Sequence, residues 1–332
     1  MKCCNEYHME PNPKTIPFPH TEYTTCQPNS TKPEILWDDL VNFLANEYLD
    51  PLSFKWAFRG VPRASYTFQS RLERELERSK AWREKLKREL QRSEEWTEKL
   101  KRIDRQTAED YLLSQFKKAA HHFIESSMVP DNTLEWLSLM QHYGAPTRLL
   151  DFTRSPYVAC YFALEEPEPL RRAGPKRAIW AIDVKWLTQN TFNRIQSCVG
   201  KGVFTPGEML GSNFIKEYFD EFYNNNCISA ILPIFPPKLN LRLLVQQSLF
   251  LCPSAAEMSF NKILSSYNDE TKNMHNHVNK IVIEERIRHE VLSELHFMNI
   301  SRTSLFPGLE GFATSLNHEI YYKSLDEITR LR

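Results

Sequence analysis

Glycine is scarce in this chain, with 9 in 332 residues where average usage would place roughly 23. A phosphate-cradling loop needs two or three glycines within about six residues, so that backbone N–H groups reach an anion. Neither GxGxxG nor a GxxxxGK loop occurs, which excludes Rossmann dinucleotide binding and P-loop chemistry. Net charge is lacking as well. The 42 Lys+Arg balance 42 Asp+Glu, so no global field draws the chain to nucleic acid or membrane. No apolar run approaches the ~20 residues of a membrane span, and the opening MKCCNEYHMEPNPK has neither the basic nor the apolar region of a signal peptide. The 7 cysteines form no CxxC pair, so a zinc ribbon or a dithiol is not indicated. Reduced thiols imply a cytoplasmic protein without membrane association.

What is present is an apolar fraction of 41%, ample for a large core. Residues 1–33, rich in Pro, Asn and Thr, read as an irregular arm. Residues 34–322 read as one domain and 323–332 as a tail. Helical spacing begins at Ile35 and runs to Tyr48, and Phe54–Phe58 alternates like a half-buried strand that ends in Arg59-Gly60. Residues 71–105 are a charged helical insertion in which a 14-residue unit occurs twice, Glu75–Arg88 and Glu89–Arg102. Fourteen residues are about four helical turns, so Leu76, Trp82, Leu86, Leu90, Trp96 and Leu100 fall on one apolar stripe. The segment holds 13 basic and 9 acidic residues. Interleaved signs point to a solvated helix face, and the stripe to docking on the domain body or on a second copy. Nucleic acid stays open as a partner there.

Further helices are expected at 107–125, 134–141, 156–165, 208–223, 285–297 and 309–316. Strands are expected at 148–153, 178–184, 228–235, 249–252 and 280–284. Strands separated by long helical stretches, with few hairpin signals, give an α+β class: a mixed central β-sheet with long helical insertions.

Three polar segments interrupt apolar context. In the first, Arg59 ends a strand beside Gly60 and presents a fixed fork of donors suited to a carboxylate or phosphate; a structural ion pair is the alternative. The second, from Gln141 to Pro156, gathers His142, Tyr143, Arg148, Asp151, Thr153 and Ser155 around a Gly144/Pro146 turn. It lacks the small-residue elbow of a nucleophilic serine. A polar network, with Asp151 paired to Arg148 or Arg59, competes with a ligand pocket. The third carries Arg242, Gln246 and Gln247 in an apolar run. An amide cannot serve as a general base but can orient a ligand or a water. His121-His122 and His275/His277 are poor metal candidates, since adjacent helix residues diverge and acidic company is missing. No metal is expected.

Taken in order, WAFRG (56–60), GAPTRLLDFTRSPYVACYFALE (144–165), NLR with QQSLF (240–250) and LFPGLEG (305–311) resemble the FRG domain family over roughly residues 35–316. Ser248 departs from the glycine that usually follows the paired glutamines, and the duplicated helix looks like an insertion. That family is mostly bacterial and phage proteins, some near defence or toxin-like systems, and its organisation looks like a distant relative of the ADP-ribosyltransferase fold. The resemblance implies an NAD pocket in which Arg59 binds the dinucleotide, Thr153 and Ser155 follow, and Gln246 or Gln247 stands where a catalytic Glu is expected. Asp151 or Glu310 would then supply the missing carboxylate. Arg59, Asp151, Gln246, Gln247 and Glu310 are the catalytic candidates. Arg59, Gly60, His142, Tyr143, Arg148, Thr153, Ser155 and Arg242 are the ligand-binding ones. Three functions follow: an ADP-ribosyltransferase or NAD glycohydrolase, a non-catalytic module for a nucleotide or phosphorylated ligand, and an interaction protein that recruits a partner through the duplicated helix.

Overall fold

A computed structural model describes residues 21–24, 37–48, 55–90, 104–126, 129–166, 176–199, 204–224, 228–236, 240–254 and 258–322. Seven strands form one sheet: β1 (Thr21–Thr24), β2 (Trp56–Val61), β3 (Leu150–Thr153), β4 (Arg177–Asp183), β5 (Ile231–Ile234), β6 (Ser248–Pro253) and β7 (Val278–Ile283). Their spatial order is β1-β7-β4-β2-β3-β6-β5. Every pairing is antiparallel except β1 on β7, so the sheet is mixed and the class α+β. The stretch read as an irregular arm therefore supplies an edge strand. Pro233 sits in β5, the opposite edge, where a missing N–H costs no ladder bond.

The helices are α1 (Trp37–Tyr48), α2 (Arg71–Leu90), α3 (Arg105–Ala120), α4 (Thr133–His142), α5 (Pro156–Leu164), α6 (Val184–Val199), α7 (Ser212–Asn224), α8 (Leu241–Val245), α9 (Phe260–Thr271), α10 (Arg288–Phe297), α11 (Arg302–Leu305) and α12 (Leu309–Tyr322). Both sheet faces are covered, which is why β4, β5, β6 and β7 are buried along their whole length and read as nearly continuous apolar runs. On one face Leu150, Phe152, Trp180 and Leu251 meet Phe68 and the α9 residues Phe260, Ile263, Leu264 and Tyr267. The other face carries two separate clusters. Phe58, Ile179 and Ile281 pack under α1, α5 and α10; Phe250, Leu232 and Ile234 pack under α4 and α7. The apolar side chains of β3 belong to the first face, so a polar seam lies over β3 between these two clusters.

Helix α5 is apolar all round and almost wholly buried. It lies directly on β2 at Gly60, where a Cβ would stand 2.0 Å from the Ala159 carbonyl oxygen and 2.5 Å from the Ala163 nitrogen. Only a residue without a side chain permits that approach. The carbonyls at the other end of α5 take donors from two buried guanidiniums: Arg177 Nη1 reaches Ala163 O at 2.9 Å, and Arg288 reaches Leu164 O and Glu165 O at 2.6 and 2.9 Å. Cations at a helix C-terminus also oppose its dipole favourably.

Helix α2 contains the first 14-residue unit, and Trp82 on its stripe is 59% exposed; most of the second unit lies outside the described residues. Four helices were not expected, the long α6 and α9 and the short α8 and α11. No helix among the described residues is long and apolar enough to cross a membrane. Gly60→Ala should destabilise the protein by at least about 3 kcal/mol, the upper range for forcing atoms into a packed core. Gly207→Ala, which meets nothing within 4 Å, should stay within about 0.5 kcal/mol; urea unfolding of both variants checks the contrast.

Candidate functional site

The seam begins where β2 and β3 part. They share a single ladder pair, Phe58 with Thr153. Past it, the half-buried Arg59 bridges the widening gap, and its Nη1 donates to the Asp151 carbonyl at 2.6 Å. Arg59 Nε is buried with no hydrogen-bond partner among the described residues. Burial pushes its pKa down, and the neighbouring Arg74 adds to this while Asp151 opposes it. The exposed Asp151 carboxylate accepts from Gln141 Nε2 at 2.5 Å, and the Gln141 carbonyl in turn accepts from Thr147 Oγ1. That chain fixes which end of the amide faces Asp151 and orients the carboxylate.

Arg242 approaches from the other side, on α8. Its guanidinium lies 4.4 Å from the ring centre of Phe306. Burial lowers its pKa, and Arg302 adds to the depression while Asp151 and Glu310 oppose it. His142 is likewise pushed down, by burial and then by Arg242, with Glu310 opposing. Arg59, Asp151, Arg242, His142 and Glu310 therefore share one electrostatic neighbourhood. Tyr143 stands at its edge, 65% exposed, with its ring 4.9 Å from that of His142.

Arginine pairing separates two populations. Arg78, Arg105, Arg148, Arg177, Arg194, Arg288 and Arg302 each have a glutamate partner. Arg59, Arg71, Arg74 and Arg242 have no carboxylate partner among the described residues. The Arg74 guanidinium donates to the Gln69 carbonyl at 2.7 Å, and its pKa is lowered by burial and by Arg78 and Arg71. Arg71 lies against the Gly144 turn. Nearby Glu73, Glu75 and Glu165 are already engaged by Arg105, Arg78 and Arg302. Among the described residues Asp151 and Glu310 are the carboxylates acting on Arg242 that have no arginine ion pair.

Several expected site residues serve the fold instead. Arg148 is buried and paired with Glu109; it also donates to the carbonyls of Tyr223 and Ser254 and to Gln106, and stacks 3.9 Å from the Tyr223 ring. Burial lowers its pKa, but Glu109, Tyr223 and Cys252 together more than offset this and raise it. The same surroundings push the Cys252 thiol up to about 12, chiefly through burial. Arg148 therefore pairs with Glu109 rather than Asp151, with four of its five N–H donors taken. Gly60 faces α5 rather than the seam. Thr153 donates to Gln246 O at 2.7 Å, and Ser155 caps α5 by accepting from Val158 N–H. Gln246 is buried, its amide donating to Leu305 O at 2.8 Å. Gln247 is exposed, takes the left-handed conformation (φ 49°), and its carbonyl accepts from Arg154 N–H. Neither glutamine supplies the group that a catalytic Glu would. His277 bonds Asp183 and stacks on Trp186, and no cluster able to hold a metal occurs among the described residues.

Sequence reasoning missed Gln141, Thr147, Arg71, Arg74 and Phe306. Gln141 and Thr147 lie inside the second polar segment, a usable signal. Arg71 and Arg74 were hidden in the charged helix.

Residues 54–172 match the FRG domain family. This stretch runs from β2 past α5 and contains Arg59, Arg74, Gln141 and Asp151, but neither Arg242 nor Glu310. No curated protein and no solved structure gives a significant match to the chain.

Glu109→Ala should cost roughly 3–5 kcal/mol in urea unfolding, because it strands the buried Arg148 charge. Unchanged stability would return Arg148 to the list of ligand-binding residues.

Proposed function

Starting from the FRG domain at residues 54–172, we propose that the seam over β3 binds a phosphate-bearing, nucleotide-like anion. The carrying observation is the arginine pairing: Arg78, Arg148, Arg177 and Arg302 each have a glutamate, whereas Arg59, Arg74 and Arg242 have no carboxylate ion pair among the described residues. Half-buried guanidiniums crowded together repel one another, and an anion with several oxygens relieves that repulsion while taking their free N–H donors. Phosphate fits this better than a lone carboxylate because it offers more acceptors and more charge.

Turnover is the second reading, favoured by the oriented carboxylate of Asp151. With NAD as ligand, Arg59, Arg74 and Arg242 are the residues that would hold the diphosphate, and NAD would supply nicotinamide as leaving group. Asp151 or Glu310 would then have to stabilise the positive charge that develops on the ribose, since the Gln246 amide is committed to Leu305 O. That reading covers ADP-ribosyl transfer and NAD hydrolysis, and a defence or toxin setting would suit either. The exposed Trp82 stripe is a separate candidate for self-association or partner capture.

Calorimetric titration with inorganic pyrophosphate, ATP, ADP-ribose and NAD, against adenosine, tests the proposal. Phosphorylated ligands should bind and adenosine should not. Arg242→Ala should weaken binding about tenfold or more, the loss of one charge-assisted contact. Absence of heat with every phosphorylated compound overturns the reading. Nicotinamide release from NAD, abolished by Asp151→Asn, would move the assignment from binding to turnover.

A further inference from the structure

Arg242 lacks a carboxylate partner among the described residues, yet its guanidinium is not loose. Among the described residues its side chain rests on the ring of Phe306, 4.4 Å from the guanidinium carbon. Phe306 is the residue that closes α11, its N–H donating to Arg302 O at 2.9 Å. The same ring carries a second guanidinium, Arg302, at 3.8 Å, and meets Phe162 of α5 edge-on at 6.0 Å. Arg302 is tied to Glu165, just past the end of α5. The Phe306 backbone is held too: a Cβ on Gly311 would stand 1.8 Å from its carbonyl oxygen, so α12 presses directly on it.

The chemistry of these contacts differs in what it leaves behind. A carboxylate would neutralise Arg242 and occupy its in-plane N–H donors. An aromatic face attracts the cation through its quadrupole, fixes the plane of the guanidinium, and leaves the charge and all the edge donors available. Arg302 matters because it occupies Glu165, the carboxylate that Arg242 would otherwise take; Glu165 is among the charges Arg242 already senses. Fixing a binding group before the ligand arrives removes the cost of ordering a long side chain on binding.

The geometry points to Phe306 as a positioning residue for anion binding: it holds Arg242 ready on its ring, with the Arg302–Glu165 pair keeping Arg242 from being neutralised. This inference rests on the phosphate-binding reading above and names a residue that reading does not use directly.

A double-mutant cycle with inorganic pyrophosphate as probe tests it, using wild type, Phe306→Leu, Arg242→Ala and the double variant, with Phe306→Tyr as the conservative replacement. Phe306→Leu should weaken pyrophosphate binding about five- to tenfold. Phe306→Tyr should stay within about twofold of wild type, since its ring still offers an aromatic face. On the Arg242→Ala background, Phe306→Leu should add less than about twofold, because its effect passes through Arg242. An equal loss on both backgrounds overturns the inference and makes Phe306 a fold residue. Unchanged binding by Phe306→Leu overturns it as well while leaving the phosphate site standing. Wild type that binds no pyrophosphate, ATP, ADP-ribose or NAD overturns both.

Discussion

The contact between Gly60 and α5 is the constraint on which the site depends. Because β2 presents no Cβ there, α5 lies with its backbone against the strand, and both of its ends are set at defined places beside the sheet. At the N-terminal end Ser155 caps the helix, and Thr153 ties β3 to the Gln246 carbonyl. At the C-terminal end Glu165 holds Arg302, Arg302 lies on Phe306, and Phe306 carries Arg242. One glycine thus fixes the spacing of a chain of contacts that ends at a cation in the seam. Distortion at Gly60 would loosen the site without touching any residue in it.

Charge follows the same division. The arginines that stabilise the fold are buried with glutamates or with helix-end carbonyls, arrangements in which the desolvated cation has its partners in place. Of those at the seam, Arg59, Arg74 and Arg242 are half-buried and Arg71 is exposed. The depressed pKa values of Arg59, Arg74 and Arg242 have burial as the largest cause, with a neighbouring guanidinium adding to it. Such a cluster is destabilising in isolation, and any anion that binds it in the folded state stabilises the fold by mass action.

Much of the sheet was legible because β4 and β6 are apolar runs bounded by polar residues and β7 closes on the apolar Ile281–Ile283. Helix α9 was legible and overlooked: Phe260, Ile263, Leu264 and Tyr267 have helical spacing behind a Ser259 cap, but Ser and Asn between them disguise it. Helix α6 is harder, since Thr188 and Thr191 favour strand; their hydroxyls are used up on the Val184 and Ile231 carbonyls, which removes the penalty. At the candidate site, Arg59, Asp151, Arg242 and His142 were singled out from residue type and context, and Glu310 through the family resemblance. The partner of Arg148 was not, because Glu109 is 39 positions away on α3 and nothing local announces it. Gly60 was read for its freedom near a ligand, when its use is the close approach of a helix.

The account stands or falls on whether a phosphate-bearing ligand takes up the uncommitted guanidiniums of the seam. Side-chain nitrogen NMR of arginine during titration with inorganic pyrophosphate reads this directly. The Nε–H signals of Arg59 and Arg242 should shift together and saturate at one ligand per chain, while those of Arg148 and Arg177, locked to Glu109 and Glu285, stay in place. Saturable binding that leaves Arg59 and Arg242 unmoved would contradict the account.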